Sequence, residues 1–236
     1  MQPASSKLPE GETKGGRARS ISASEQLVRN VIRGLYEGRY VPGQRLVEVD
    51  LSQEYNVSRF VVREALARLT AEGAASMSFN RGAVIPRLTR KQTTDIFLVM
   101  ERVFSLSASL AAEHIDQPGN RELIVESIAH AAQFKGEGEH DFFEFGRAVS
   151  HLFRSITKAA DNLQLQRVVG ALQIHLVRVQ FRAFPAVSEI HRIDQLESIA
   201  AAILEGDAGR AAERTSSYLL SLSRDIAALP DRVFAA

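Results

Sequence analysis

Between residues 24 and 88 the apolar positions fall into short groups at helical spacing, separated by turn residues. Leu27, Val31, Ile32 and Leu35 share one face of a predicted helix, and Gly38 supplies its stop. Tyr40-Val41-Pro42-Gly43 reads as a turn, with Gly43 at the position that needs positive φ. Leu46, Val49, Leu51 and Tyr55 predict a second helix, ended by Asn56. A third follows in which Val62, Ala65, Leu66 and Leu69 form one face, closed by Glu72-Gly73. Ser58 stands where a hydroxyl can cap its first turn. Arg59 and Arg63 lie one turn apart, away from the apolar face. Two runs, 74–79 and 83–88, then flank Asn80-Arg81-Gly82, which predicts a β-hairpin with a cation at its tip.

From Thr89 onward the pattern is helical almost throughout. Thr89 or Thr93 caps a long helix reaching His114, in which Ile96, Val99, Val103, Leu106 and Leu110 share a face; Pro118-Gly119-Asn120 breaks it. Further helices are expected over 120–134, 141–160, 162–184, 188–205 and from 207 to just before Pro230. The expected fold is therefore mainly α: an N-terminal winged helix-turn-helix and a C-terminal all-α bundle of about six helices. The expected divisions are a disordered tail over residues 1–21, a DNA-binding domain over 22–88, and an effector-binding and dimerisation domain over 89–236. Gly, Ser, Pro and charge dominate the tail, which has almost nothing to bury.

Composition narrows the classes. The chain has 236 residues and no cysteine, which excludes disulfides, thiolate metal sites and cysteine nucleophiles. No apolar run approaches membrane-spanning length and no signal-peptide core is evident, so a cytoplasmic location without membrane contact is expected. The net charge of +1 conceals an asymmetry: residues 1–90 hold 14 Lys and Arg against 9 Asp and Glu, while the remainder holds 15 against 19. A basic N-terminal part joined to an acidic remainder suits a DNA-contacting module attached to one that does not touch DNA.

The third helix carries the candidate chemistry. A short helix that buries one side and presents two guanidinium groups near its N-terminus suits entry into the major groove. The planar fork of arginine bonds guanine O6 and N7 together, or clamps a phosphate. Taken alone, the helix reads more readily as a surface element with solvated arginines; the turn before it and the hairpin after it decide for recognition. An alternative is a helical enzyme or ligand-binding protein with an accessory winged helix. Asp141 and Glu144 share a helix face, but no partner motif and no phosphate-cradling glycine loop accompany them. A winged helix that binds protein is a third reading, disfavoured by the presence of Arg59, Arg63 and Arg81.

Matched spacings carry a resemblance. Val41-Pro42-Gly43-Gln44-Arg45-Leu46, Leu51-Ser52, Val57-Ser58-Arg59, Val62-Arg63-Glu64-Ala65-Leu66, Leu69, Glu72-Gly73 and Arg81-Gly82 resemble the GntR superfamily of bacterial transcription regulators, in the order of its FadR subfamily. The resemblance implies DNA contact by Arg59 and Arg63 of the recognition helix, by Ser58 at its start, by Arg81-Gly82 at the wing, and by Arg45 on phosphate. It also implies a homodimer on a short palindromic double-stranded operator with G·C pairs near its arms, repression being the expected mode. Two positions depart from the pattern: Phe60-Val61 replaces a usual Thr-Pro whose Thr helps bind phosphate, and Val49 replaces a frequently basic residue.

The C-terminal part resembles the FCD effector domain of the same subfamily, anchored on Asp161-Asn162, Ala202-Ile203-Leu204-Glu205-Gly206-Asp207 and Ala211. Many such domains hold a divalent metal with one Asp and three His. Here the four positions fall at Val149, Phe153, Leu196 and Tyr218, and the usual Arg and Glu of the first bundle helix fall near Met100 and Phe104. None of the six histidines shows the spacing needed to replace them. No metal and no cofactor are expected. Met100, Phe104, Val149, Phe153, Leu196 and Tyr218 form the expected effector site, and two readings stay open: a pocket filled by its own side chains, or one for an apolar effector such as an acyl chain. Arg178, with His175 and Arg182 on the same helix face, is a candidate anchor for an effector carboxylate, or else an exposed or subunit-contact residue.

Overall fold

The computed structural model describes residues 21–71, 73–77, 82–135, 142–172, 177, 180–181 and 192–235. The expected tail up to residue 20 lies outside them.

The N-terminal unit is built on three helices and a small sheet. α1 (Ala23–Glu37) starts at Ser22, whose hydroxyl accepts from the Glu25 N–H, and ends at Gly38 in the left-handed region. β1 (Arg45–Leu46), α2 (Glu48–Glu54) and α3 (Arg59–Ala71) follow, then β2 (Ser76–Met77) and β3 (Ala83–Val84). The strands form an antiparallel sheet in the order β1-β3-β2, with Leu46 and Met77 both registered on Ala83. Leu27, Val31 and Leu35 of α1 pack with Leu51 of α2 and with Val62, Ala65, Leu66 and Leu69 of α3, all nearly inaccessible to water.

One boundary differs from the sequence pattern. Leu46 belongs to a strand, not to the second helix: its backbone pairs with Ala83 while its side chain enters the core. Val49, which completed the apparent helical face, is 38% exposed. The apolar spacing there was shared between two elements, and α2 begins only at Glu48.

The C-terminal unit comprises α4 (Arg90–Glu113), α5 (Asn120–Ala132), α6 (Phe142–Ala159), α7 (Leu163–Ala171), α8 (Ile193–Leu204) and α9 (Ala208–Ala227). Thr89 caps α4 in a full capping box with Gln92, which fixes the start of the bundle directly after the linker. Asn162 caps α7 through the N–H groups of Gln164 and Leu165. The expected continuous helix over 162–184 is broken: α7 ends at Ala171, and Leu172 turns extended at ψ 132°. Gly170 weakens the helix just before this point, and Leu172 gains partial burial against the core. α4 and α9 run antiparallel, the N-terminus of one meeting the C-terminus of the other through Arg90, and they bracket the core with α6 and α8.

The two units meet at a seam tied by polar groups. The buried Gln180 amide accepts from the Leu88 N–H (2.7 Å) and donates to the carbonyls of Leu88 (2.9 Å) and Val233 (3.1 Å). Beyond α9 the chain turns at Pro230 into a 3-10 turn (Asp231–Val233), and the Ala235 N–H donates back to Leu88. Arg90 reaches the Leu229 carbonyl and Asp231, and its guanidinium lies 4.2 Å from the Phe234 ring centre. A cleft of about 410 Å³ opens beside this knot, lined by Pro42, Arg87, Gln180, Arg232 and Val233.

Candidate nucleic-acid interface

α3 is held as a lever. Its four buried residues seat one side in the core, and the opposite side faces water. Ser58 is exposed and its hydroxyl accepts from the Val61 N–H at 3.4 Å, so it acts as the N-cap the sequence suggested. Arg59 is exposed at the first helical position. Arg63, one turn later, is exposed but engaged: its Nε donates to Glu48 of α2 at 2.9 Å. The two side chains are 68% and 26% exposed, so the pair is well solvated and can exchange for a phosphate or base edge. Nothing in the sequence pattern signals Glu48, because the contact spans 15 positions between separate helices.

The sheet places the wing. Arg45, on β1, is exposed at the edge of the same unit. Gly82 sits at φ +82°, where a Cβ would come within 2.5 Å of the Leu46 carbonyl oxygen. Glycine is therefore required for the wing to return alongside β1. Arg81 lies outside the described residues. Behind the interface, the Tyr40 hydroxyl donates to Glu54 and meets the Tyr55 hydroxyl at 2.9 Å, fastening the turn after α1 onto α2. Burial first, and then the Tyr55 contact, push the Tyr40 phenol above its ordinary pKa.

The expected effector residues converge in the bundle. Met100 and Phe104 of α4, Val149 and Phe153 of α6, Leu196 of α8 and Tyr218 of α9 are each buried, at most 6% exposed. The Phe104 and Phe153 ring centres are 4.8 Å apart, and Phe153 stacks on Tyr218 at 5.8 Å. Val149, Phe153 and Leu196, three of the four positions that the resemblance set against metal ligands, are thus hydrocarbon, and the residues do not fit a divalent ion. Among the described residues no group of three or more His, Asp or Glu is placed to hold one. His175, Arg178 and Arg182 lie outside the described residues.

Family comparison agrees with this geometry. Residues 23–85 match the model described as "Bacterial regulatory proteins, gntR family" and residues 95–221 match the FCD domain, which alone spans more than half of the chain. The chain belongs to the GntR family. Among curated relatives, the HTH-type transcriptional regulator McbR of Escherichia coli is 27% identical over 126 residues, covering 52% of this chain and 57% of McbR. The HTH-type transcriptional repressor RspR of the same species is 25% identical over 167 residues, covering 70% of this chain and 71% of RspR. The matched part thus spans little more than half the length of McbR, and 41% of the regulator YdhC of Bacillus subtilis. Two solved structures share the fold: a GntR regulator from Rhodococcus sp. RHA1 (TM-score 0.73, 18% identity, 88% of this chain and 99% of that one) and E. coli McbR/YncC (TM-score 0.69, 19% identity, 88% and 100%).

This chain joins a gntR-family module to an FCD domain, and the relatives it resembles are named transcriptional regulators, not enzymes. Among the described residues no helix is long and apolar enough to cross a membrane.

Proposed function

We propose that the protein acts in the cytoplasm as a homodimeric repressor that places α3 of each protomer in successive major grooves of a short palindromic operator, under control of a small apolar effector in the bundle. The observation that carries the DNA part is the outward side of α3, where exposed Arg59 and Arg63 sit on a helix locked from behind by four buried residues. Arg45, Ser58 and Gly82 extend that surface to phosphate contacts, while Arg81, expected at the wing, lies outside the described residues. One such module buries little, whereas a dimer doubles the contacts and matches operator symmetry. Exposed Leu98 (61%), Val99 (44%) and Leu106 (49%) on α4 are apolar positions that a second protomer would cover. Repression follows the printed names of RspR and of a probable D-xylose utilization operon repressor of Paenarthrobacter nicotinovorans.

Support for an effector lies beside Tyr218. One turn earlier on α9, the hydroxyl of Thr215 is fully buried and has no hydrogen-bond partner among the described residues. A buried donor of this kind calls for an acceptor the protein does not supply, such as the carbonyl of an acyl-type effector. A ligand reaching it would displace Phe153 or Tyr218 and so shift α9, whose C-terminus feeds the seam with the DNA-binding unit.

The test combines a gel shift on the chain's own upstream DNA with sedimentation analysis. A retarded band lost in Arg59→Ala, and a dimer that Leu106→Arg dissociates, are expected. A wild-type chain that is monomeric at operator-binding concentrations would refute the dimer reading, and equal operator binding by Arg59→Ala would refute the assignment of α3.

A further inference from the structure

The first turn of α3 carries an apolar side chain for which the fold has no use. Phe60 is 77% exposed, more than any other large apolar side chain among the described residues. At 100° per residue it points about 170° away from the mean direction of Val62, Ala65, Leu66 and Leu69, so no repacking of the domain core can absorb it. Arg63 lies about 60° to one side of it and Arg59 about 100°. Ala67, exposed two turns later, falls about 20° from the same line. The outermost ridge of the recognition helix is therefore apolar, with the cations beside it. An exposed phenyl ring is costly in water and idle in the free protein.

In the major groove a ridge opposite the core meets base edges, and positions at its flanks meet neighbouring base edges or the sugar-phosphate walls. The one apolar feature displayed there is the C5-methyl group of thymine. We infer that Phe60 is a specificity-determining residue whose ring covers a thymine methyl in each half-site, next to the guanine read by a flanking arginine. The inference rests on the assignment of α3 as recognition helix and adds a base identity to it: Phe60 cannot substitute for a hydroxyl on phosphate, but it reads a methyl that a hydroxyl would ignore.

The experiment removes that methyl from the DNA. Full-length protein selects its preferred duplex from a randomised pool, and each thymine of the product is then replaced by uracil, which keeps every hydrogen-bonding group. Fluorescence anisotropy measures affinity for each duplex with wild type and with Phe60→Ala; circular dichroism confirms that the variant is folded, as expected for so exposed a site. For wild type, uracil at one position per half-site weakens binding about fourfold, the weight of one buried methyl. Phe60→Ala binds the thymine duplex more weakly and shows no difference between thymine and uracil at that position. Equal binding of all uracil duplexes by wild type, or the same uracil penalty in Phe60→Ala, overturns the inference. A Phe60→Ala variant that loses dimerisation while keeping the penalty overturns it in favour of a subunit contact. Failure of the underlying α3 assignment is seen separately, as selection of the same duplex with the same affinity by Arg59→Ala.

Discussion

Gln180 is where the account of domain coupling can be broken by one atom. Its amide makes three hydrogen bonds, two to Leu88 and one to Val233, and it is 8% exposed. In Gln180→Leu the Leu88 carbonyl keeps the Ala235 N–H, but the buried Leu88 N–H loses its partner. Loss of these bonds, together with one stranded donor, costs about 2–4 kcal/mol. In a chain of this size each kcal/mol moves the midpoint by roughly 2–4 °C, so thermal unfolding is expected some 5–15 °C earlier. Gln180→Glu sharpens the test. A carboxylate still accepts from Leu88 N–H but turns an oxygen toward two carbonyls, which raises its folded pKa above the ordinary carboxylate range. The stabilising protonated form is then fully present below the unfolded value and lost as pH rises through the folded one. The deficit of this variant against wild type should therefore shrink on moving from neutral pH toward pH 5. Scanning calorimetry at several pH values reads both effects. A Gln180→Leu variant melting with wild type, or a Gln180→Glu deficit independent of pH, would show that this amide does not hold the seam.

Three other substitutions probe separate links. Gly82→Ala forces a side chain into left-handed backbone 2.5 Å from the Leu46 carbonyl; it should cost about 1–3 kcal/mol and weaken operator binding through the wing, read by chemical denaturation and anisotropy. Glu48→Gln releases Arg63 from an exposed pair, leaving stability within about 1 kcal/mol. It should raise affinity for random duplex and steepen the dependence of log K on log salt by about 0.9, measured by salt titration. Phe153→Ala, in contact with Phe104 and Tyr218, should cost about 3–5 kcal/mol if the centre of the bundle is packed core, measured by urea unfolding.

Local signals made most of the fold legible. Ser22, Thr89 and Asn162 cap their helices as their residue types suggest, and the face of α3 that its spacing predicted is the face that is buried. Candidate DNA residues could be named because their spacing within one helix and one hairpin is itself local. What sequence could not show were pairings across distance: Leu46 with Ala83, Arg63 with Glu48, Gln180 with a backbone 92 positions away. Leu46 misled because an apolar residue two positions before a helix fits both periods. Phe60 was visible as a departure from the family pattern, but its meaning required knowing that no element covers it.

The claim that α3 reads the major groove is tested most directly by dimethyl sulfate protection of the selected operator, since guanine N7 reacts only when that groove is open. Wild-type protein should protect one or two guanines at symmetry-related positions in each half-site. Arg59→Ala should lose that protection together with about 1–3 kcal/mol of binding. Guanines left fully reactive under bound wild-type protein, or a protection pattern unchanged in Arg59→Ala, would contradict it.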